Sequence, residues 1–477
     1  MRLRPLEAEL PWAEPVELFS TVFAEEPLAV WLDGSPMSYI GLGDRLATAS
    51  VTDGTVTLDG VTRAGEFLDL LRDELAATDV ASGEGFRLGW AGWLGYELGK
   101  QTLGVPVTRF SDRPDAALIF VDRLLAFDHV ARTLTALALT EHGLANLRTR
   151  HDRWSSSARA PASTGIEARR AIDTGANDFD TRPRSSGATQ PAAVPRSSGA
   201  IQPAHATWAH TDAQYLAMIR ACQAAIHEGE AYQLCLTTEA TVPHAPDPLA
   251  TYLRLRETSP SHHGGFIRAG QVTLLSASPE QFLSVTPDGI VESKPIKGTR
   301  PRGSTAASDS ALARELLDSD KERAENLMIV DLMRNDIARV SEVGSVSVPS
   351  LLAIESYAHV HQLVSTVRGI LRPGLGAVDA VAACFPAGSM TGAPKMRAVE
   401  ILDALEDRAR GVYSGVFGYF GLDGRADLAM VIRSIVIDPQ GATIGAGGGI
   451  TALSVPEEEL AEVKLKAAAL LAALGVV

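Results

Sequence analysis

Short apolar runs broken by Gly and Asp turns fill residues 1 to 153: LAVWLDG, VTLDGVT, RLGWAGWLGYELG and AALIFVDRLLAFD. Runs of this length bounded by turn formers predict strands, and the amphipathic stretch AGEFLDLLRDELAA predicts a helix among them. The pattern stops in residues 154–206, which hold SSSARAPASTG and the near-duplicates PRSSGATQP and PRSSGAIQP. Ser, Pro, Gly and Ala dominate there and aromatics almost vanish, so the segment reads as a disordered linker. Periodicity resumes at Thr207. TDAQYLAMIRACQAAIHEGEAYQL reads as an amphipathic helix capped by Thr211 or Asp212, running into a strand at 233–237. Further strands are expected in QVTLLSAS, QFLSV, GVFGYFG, LAMVIRSIVI and ATIGAGGG. Helices are expected in ALARELLDSDKERAENLMIVDLMRND, PKMRAVEILDAL and PEEELAEVKLKAAALLAAL. Strands in runs with helices between them, not in strict alternation, predict an α+β fold. Residues 207–477 form its second region.

Composition narrows the function. The chain has 477 residues, 45% hydrophobic and 21% charged, the balance of a globular protein. A formal charge of −15 argues against a nucleic-acid partner, since such partners select basic faces. The opening MRLRPLEAELPW lacks the apolar core of a signal peptide, and no apolar run is long enough to cross a bilayer. Cys222, Cys235 and Cys384 form no C-x-x-C pair, which suits reduced thiols. A cytoplasmic protein with no membrane partner is expected.

Several residues could carry chemistry. Glu322 and Glu325 share one helix face, as do Glu459, Glu462 and Lys466. Carboxylates from two elements, completed by water and a substrate oxygen, suit Mg²⁺, although a solvated charged face explains either cluster taken alone. FPAGSMTGAPK and GAGGGI fit neither the P-loop nor the dinucleotide spacing. Each offers bare backbone N–H groups that suit an anion, or is an ordinary turn. Arg433 is a charge in an apolar strand, so it either pairs with a buried acid or forks an anionic ligand. Glu280 follows a strand as a possible acid or base, and His361 is either catalytic or packed in the core. In SKPIKGTR, Lys297 stands just before a turn glycine.

In order and wording these segments resemble the chorismate-utilising enzymes. The matching pieces are EAYQL, SPEQF, PIKGTRPRG, ENLMIVDLMRNDIARV, HQLVSTVRG, FPAGSMTGAPKMRAVEIL, GVYSGVFGYFG, MVIRS, AGGGIT and SVPEEELAEVKLKA, with WLDGS and GWLGYE as looser N-terminal matches. The resemblance implies one intertwined α+β unit like anthranilate synthase component I: a two-sheet β-sandwich core flanked by helices. It implies Mg²⁺ held by Glu325 and Glu462, with Glu322 and Glu459 nearby, on one carboxylate of chorismate. Arg433, Tyr413 and the N–H groups of Gly447 and Gly449 would hold the other carboxylate. Lys466 would add positive charge, Thr391 would touch substrate, and Glu280 would protonate the departing C4 hydroxyl.

Two positions speak to the nucleophile. Gln233 stands where members that add water carry a lysine base, so ammonia is the implied nucleophile. Anthranilate synthases read PIAGT where this chain reads PIKGT, as the aminodeoxychorismate synthases do. A lysine at 297 can attack C2 as the hydroxyl leaves, and ammonia can then enter C4 and expel it, giving net retention. The implied activity is therefore amination of chorismate at C4, on the way to p-aminobenzoate and folate. The alternative is anthranilate formation, and a weakly catalytic effector-binding subunit is a further reading. Anthranilate synthases typically place histidine where this chain has Gln362, so His361 is shifted by one. No cysteine sits in a glutaminase-like elbow, which implies ammonia from a separate glutamine amidotransferase subunit.

Overall fold

The computed structural model describes residues 3–78, 80–159, 205–244, 246–357 and 360–476. Two twelve-stranded sheets form its centre, and every pairing within them is antiparallel. One runs from Leu6–Leu10 at one edge, through Leu28–Gly34, His263–Ala269, Val272–Ser278, Ser434–Asp438 and Gly441–Ile450, to Gln233–Val242 and Thr207–Trp208. The other runs from Ile296–Pro301 through Val360–Ile370, Gln281–Val285, Ala426–Met430, Val416–Gly421 and Gly89–Leu94 to Val61–Ala64.

Alternate side chains of a strand face opposite ways, so a strand buried on both faces reads as a continuous apolar run. LAVWL is such a run. Trp31 packs on the outer face with Phe19, Tyr252 and Phe266, while Val30 turns inward. The inward residues of both sheets, among them Leu274, Val436, Trp93, Ile119 and Phe417, form one core between them. Helices such as Pro15–Val22, Asp212–His227 and Pro456–Ala473 cover the first sheet's outer face. Phe67–Ala76, Asp320–Ala338 and Ala377–Cys384 cover the second. The expected sandwich flanked by helices is therefore the observed one. Neither chain region builds a sheet by itself. Val30 opposes Ile267 in the first sheet and Phe417 opposes Trp93 in the second.

Local outcomes differ from the sequence pattern in three places. The helix Glu141–Arg159 runs past residue 153, where the linker was expected to begin. His151 and Arg150 hold it through the carbonyls of Pro11 (2.9 Å) and Val22 (2.7 Å). Of the expected linker, residues 160–204 lie outside the described residues. The single helix expected over 311–336 is two, Ala306–Asp318 and Asp320–Ala338. Ser319 breaks it by leaving the helical region and taking the Glu322 N–H on its own hydroxyl at 3.4 Å, an N-cap inside the run. LAMVIRSIVI is likewise not one strand. Ala426–Met430 belongs to the second sheet and Ser434–Asp438 to the first, and Arg433 sits between them at φ 52°. Thr211, not Asp212, caps its helix, in a capping box with Gln214.

Along one edge of the Gln233–Val242 strand, away from solvent, lies a tight polar nest. Arg410 donates to both Glu406 carboxylate oxygens (2.8 and 2.7 Å) and to the carbonyls of Met390 (2.6 Å) and Cys235 (2.8 Å). Its guanidinium lies 4.3 Å from the centre of the Tyr96 ring. Glu406 also accepts from the Thr237 N–H at 2.8 Å, and Glu97 accepts from the Arg410 and Gly411 N–H groups at 2.9 and 2.8 Å.

Candidate active site

A cavity of about 470 Å³ opens where the Ile296–Pro301 strand, the Asp320–Ala338 helix and the Pro456–Ala473 helix meet. Its walls carry Glu280, Lys297, Glu322, Glu325, Arg433, Gly449, Glu459, Glu462 and Lys466, so nine of the expected site residues converge. Gln362, Arg300 and Lys321 also line it.

Lys297 reaches the cavity through a bulge. Pairing with the next strand steps from Ile296 opposite Val364 to Thr299 opposite Gln362, one residue more on the lysine's strand. Gly298 absorbs the extra residue at φ 81°, in the left-handed region open to glycine. A Cβ there would also lie 2.6 Å from Leu316 Cδ1 and 3.0 Å from Glu322 Cδ. The bulge thus presses the lysine's backbone against the acidic helix. Lys297 has no hydrogen-bond or ion-pair partner among the described residues, while its charge is felt by Glu280, Glu325 and Glu462. Two nearby cations are paired elsewhere: Arg300 with Glu315 at 3.0 Å, and Lys294 with Glu292 at 3.8 Å.

Burial pushes the Glu280 carboxyl above the usual range, with Lys297 and a hydrogen bond from Ser389 opposing. A carboxyl that holds its proton is what a general acid requires. Burial also raises Glu325; Lys297 and Lys321 oppose it, and Glu322 and Glu459 add to it. Glu325 has no partner among the described residues. Burial pushes Glu462 up, but Lys466 at 2.7 Å outweighs it and leaves that carboxyl below its usual range. Glu459 accepts from Ser454 Oγ at 2.7 Å. Among the described residues no three Asp, Glu, His or Cys side chains close around a common point. The donors are hard oxygens set on two helices, a partial shell that water and ligand oxygens would have to complete.

The opposite wall carries Arg433, Gly449 and Lys466. Arg433 projects from its left-handed turn into the cavity mouth, open to solvent on one side. Protein on the others desolvates it enough to pull its guanidinium below the usual value. No side chain among the described residues pairs with it. Past Thr443 the Gly441–Ile450 strand is paired on one side only among the described residues, and Lys466 Nζ reaches the Gly447 carbonyl at 2.9 Å. A Cβ at Gly449 would lie 2.2 Å from Gln233 Nε2, so a side chain there would require the Gln233 carboxamide to move. Gln233 is buried behind that wall with its Oε1 unpartnered.

Three expected residues stand elsewhere. Thr391 is fully buried, and its hydroxyl closes a turn onto Ala387 O at 3.1 Å. Tyr413 packs its ring on Gly445, where a Cβ would lie 2.0 Å from the ring. His361, expected as a catalytic residue, does not line the cavity. Neighbouring strand residues face opposite ways, so Gln362 faces the cavity and His361 faces the Ala306–Asp318 helix. There it contacts Asp309 Oδ1 (2.9 Å) and Ser356 Oγ (2.8 Å). Sequence reasoning missed Lys321 and Ser389. Lys321 directly precedes Glu322 and could have been found by extending the acidic motif; Ser389, over a hundred residues from Glu280, carried no such signal.

Known proteins resemble the chain throughout. The model of the chorismate binding enzyme family matches residues 29–472. An aminodeoxychorismate synthase of Streptomyces pristinaespiralis is 41% identical over 476 residues, covering 96% of this chain and 63% of that protein. One of Streptomyces griseus is 42% identical over 489 residues, 98% of this chain and 64% of that protein. This chain therefore spans a little under two thirds of those two relatives. An anthranilate synthase component 1 of Geobacillus stearothermophilus is 34% identical, over 97% of this chain and 91% of that one. The crystal structure of anthranilate synthase component I from Streptococcus pneumoniae TIGR4 superposes with a TM-score of 0.75 at 27% identity, covering 96% of this chain and 97% of that one. With its motifs, its two intertwined sheets and its cavity accounted for together, the chain belongs to the chorismate binding enzyme family.

Proposed function

We propose that this chain aminates chorismate at C4, giving 4-amino-4-deoxychorismate, through a covalent adduct on Lys297. The observation that carries the reading is Lys297 itself, bulged into the cavity with Glu280 as its near carboxyl and with no partner of its own among the described residues. As a free amine, Lys297 attacks C2 and the ring double bonds shift. The C4–O bond breaks, and the hydroxyl leaves as water with the proton of Glu280. Ammonia then bonds to C4, the double bond returns, and the C2–N bond to Lys297 breaks. The proton lost from nitrogen restores Glu280. The sum is chorismate plus ammonia giving the aminated product plus water, with two allylic displacements and net retention.

Arg433, Lys466 and the open backbone edge at Gly447 and Gly449 would hold one carboxylate of chorismate. Glu325 and Glu462, with Glu322 and Glu459 close by, would hold Mg²⁺, which when bound supplies positive charge to the other carboxylate. Ammonia would come from a separate glutamine amidotransferase. In support, burial pushes the thiols of Cys222 and Cys384 up to about 12 and raises Cys235, which leaves none poised as a glutaminase nucleophile.

The test is product analysis of the purified chain with chorismate, Mg²⁺ and ammonium, beside Lys297→Ala. An aminated chorismate that keeps its enolpyruvyl group, lost in the mutant, supports the reading. Anthranilate and pyruvate would overturn it and favour the activity for which the Geobacillus relative is named.

A further inference from the structure

Asn326 is fully buried one residue beyond Glu325, and its carboxamide joins three elements. Nδ2 donates to the carbonyls of Pro295 (3.4 Å) and Leu363 (3.3 Å), and Oδ1 accepts from Ser365 Oγ at 2.5 Å. Ser365 in turn accepts from the Leu352 N–H at 2.9 Å, and its own N–H donates to Pro295 O at 3.1 Å. The amide has only one workable orientation. Flipped, its oxygen would face two carbonyls and its nitrogen a hydroxyl that needs an acceptor. Both donors and the oxygen are therefore spent on fixed groups.

The tied points are close to the chemistry. Pro295 lies two residues before Lys297, ahead of the bulge. Leu363 follows Gln362, which lines the cavity. Glu325 directly precedes Asn326 on the helix, and Glu322 lies one turn earlier on the face that meets Gly298. A bulged strand has lost ladder hydrogen bonds locally, so something else must fix where its extra residue sits. We infer that Asn326 is a positioning residue. Its side chain, with Ser365 behind it, sets the separation between the Lys297 amine and the carboxylates of the Asp320–Ala338 helix without touching substrate. The inference rests on the amination reading above.

Tight alignment of the reacting amine appears in turnover, whereas substrate affinity is set by the charges on both walls that would hold its two carboxylates. The experiment measures kcat and KM for chorismate, with ammonium in excess, in wild type, Asn326→Ala and Ser365→Ala. Thermal melts of each chain run alongside. Asn326→Ala is expected to lower kcat at least tenfold with KM within twofold, and Ser365→Ala to lower kcat about threefold with KM unchanged. If Asn326→Ala does not fold, the milder Ser365→Ala decides. Values of kcat within twofold of wild type in the folded variants, or a KM that rises as far as kcat falls, would overturn the positioning role. The identity of the wild-type product tests the amination reading separately, because the kcat-to-KM split is read on whichever product forms. A wild type that turns over no chorismate would overturn both.

Discussion

Two charged regions lie close together in this chain and are built on opposite rules. In the nest around Arg410, every ionic group is matched: the guanidinium has a carboxylate, two carbonyls and a ring face, and Glu406 and Glu97 accept from fixed N–H groups. In the cavity, Lys297, Glu325 and Arg433 have no partners among the described residues. Lys297 and Glu325 are half-buried and Arg433 is open to solvent on one side, so water or a ligand entering the cavity has to meet their charges. The difference separates charges that the fold itself satisfies from charges that it leaves open in a cavity, although both are clusters of Arg, Lys and Glu in the sequence.

The comparison breaks if deletions in the two regions have the same consequence. The largest effect is expected from Glu406→Ala, which leaves Arg410 buried and unpaired. Removing one partner of such a pair costs about 3–5 kcal/mol of stability, read as a lowered urea midpoint. Lys297→Ala should leave that midpoint unchanged and lower amination about a hundredfold or more, at least the lower end of what a positioned catalytic group supplies. A large stability loss with it would mean the lysine is structural.

Next comes pH. Burial, with Asp115 adding to it, pushes the Glu97 carboxyl from its usual 4.5 up to about 7, against the two N–H groups that favour its charge. The fold therefore prefers the protonated acid. That stability is complete below about pH 4 and is lost as pH rises through 7, about 3 kcal/mol in all at 1.36 kcal/mol per unit. Glu97→Gln should flatten this slope when midpoints are compared at pH 5 and pH 8; an unchanged slope would assign the dependence elsewhere. The smallest effect is expected from Arg433→Gln, whose midpoint should hold while KM for chorismate rises about tenfold, about 1.4 kcal/mol.

Much of this was legible in the sequence. The helical spacing of Glu322 and Glu325, and of Glu459, Glu462 and Lys466, placed each set on one face, and the Lys297–Gly298 pair marked a local irregularity that proved to be a bulge. What escaped was decided at a distance. LAMVIRSIVI reads as one strand because nothing local reports that its halves join different sheets, which turns Arg433 from a strand charge into a residue at φ 52°. That Gln362 and not His361 faces the cavity follows from strand parity, which the register with Ile296–Pro301 fixes. Glu97 meets the Arg410 N–H more than three hundred residues away, a contact no local pattern encodes.

The stitching of both sheets from the two ends of the chain bears on how the protein is made. The Leu28–Gly34 strand leaves the ribosome long before His263–Ala269, its neighbour in the sheet. At 5–20 residues per second that interval is on the order of ten to fifty seconds. Throughout it, the apolar LAVWL edge is without its native cover, a template for pairing with other nascent chains. Successful synthesis therefore depends on holding that edge apart until the second half arrives, and the cell's chaperone capacity should limit yield more than the stability of the finished fold does.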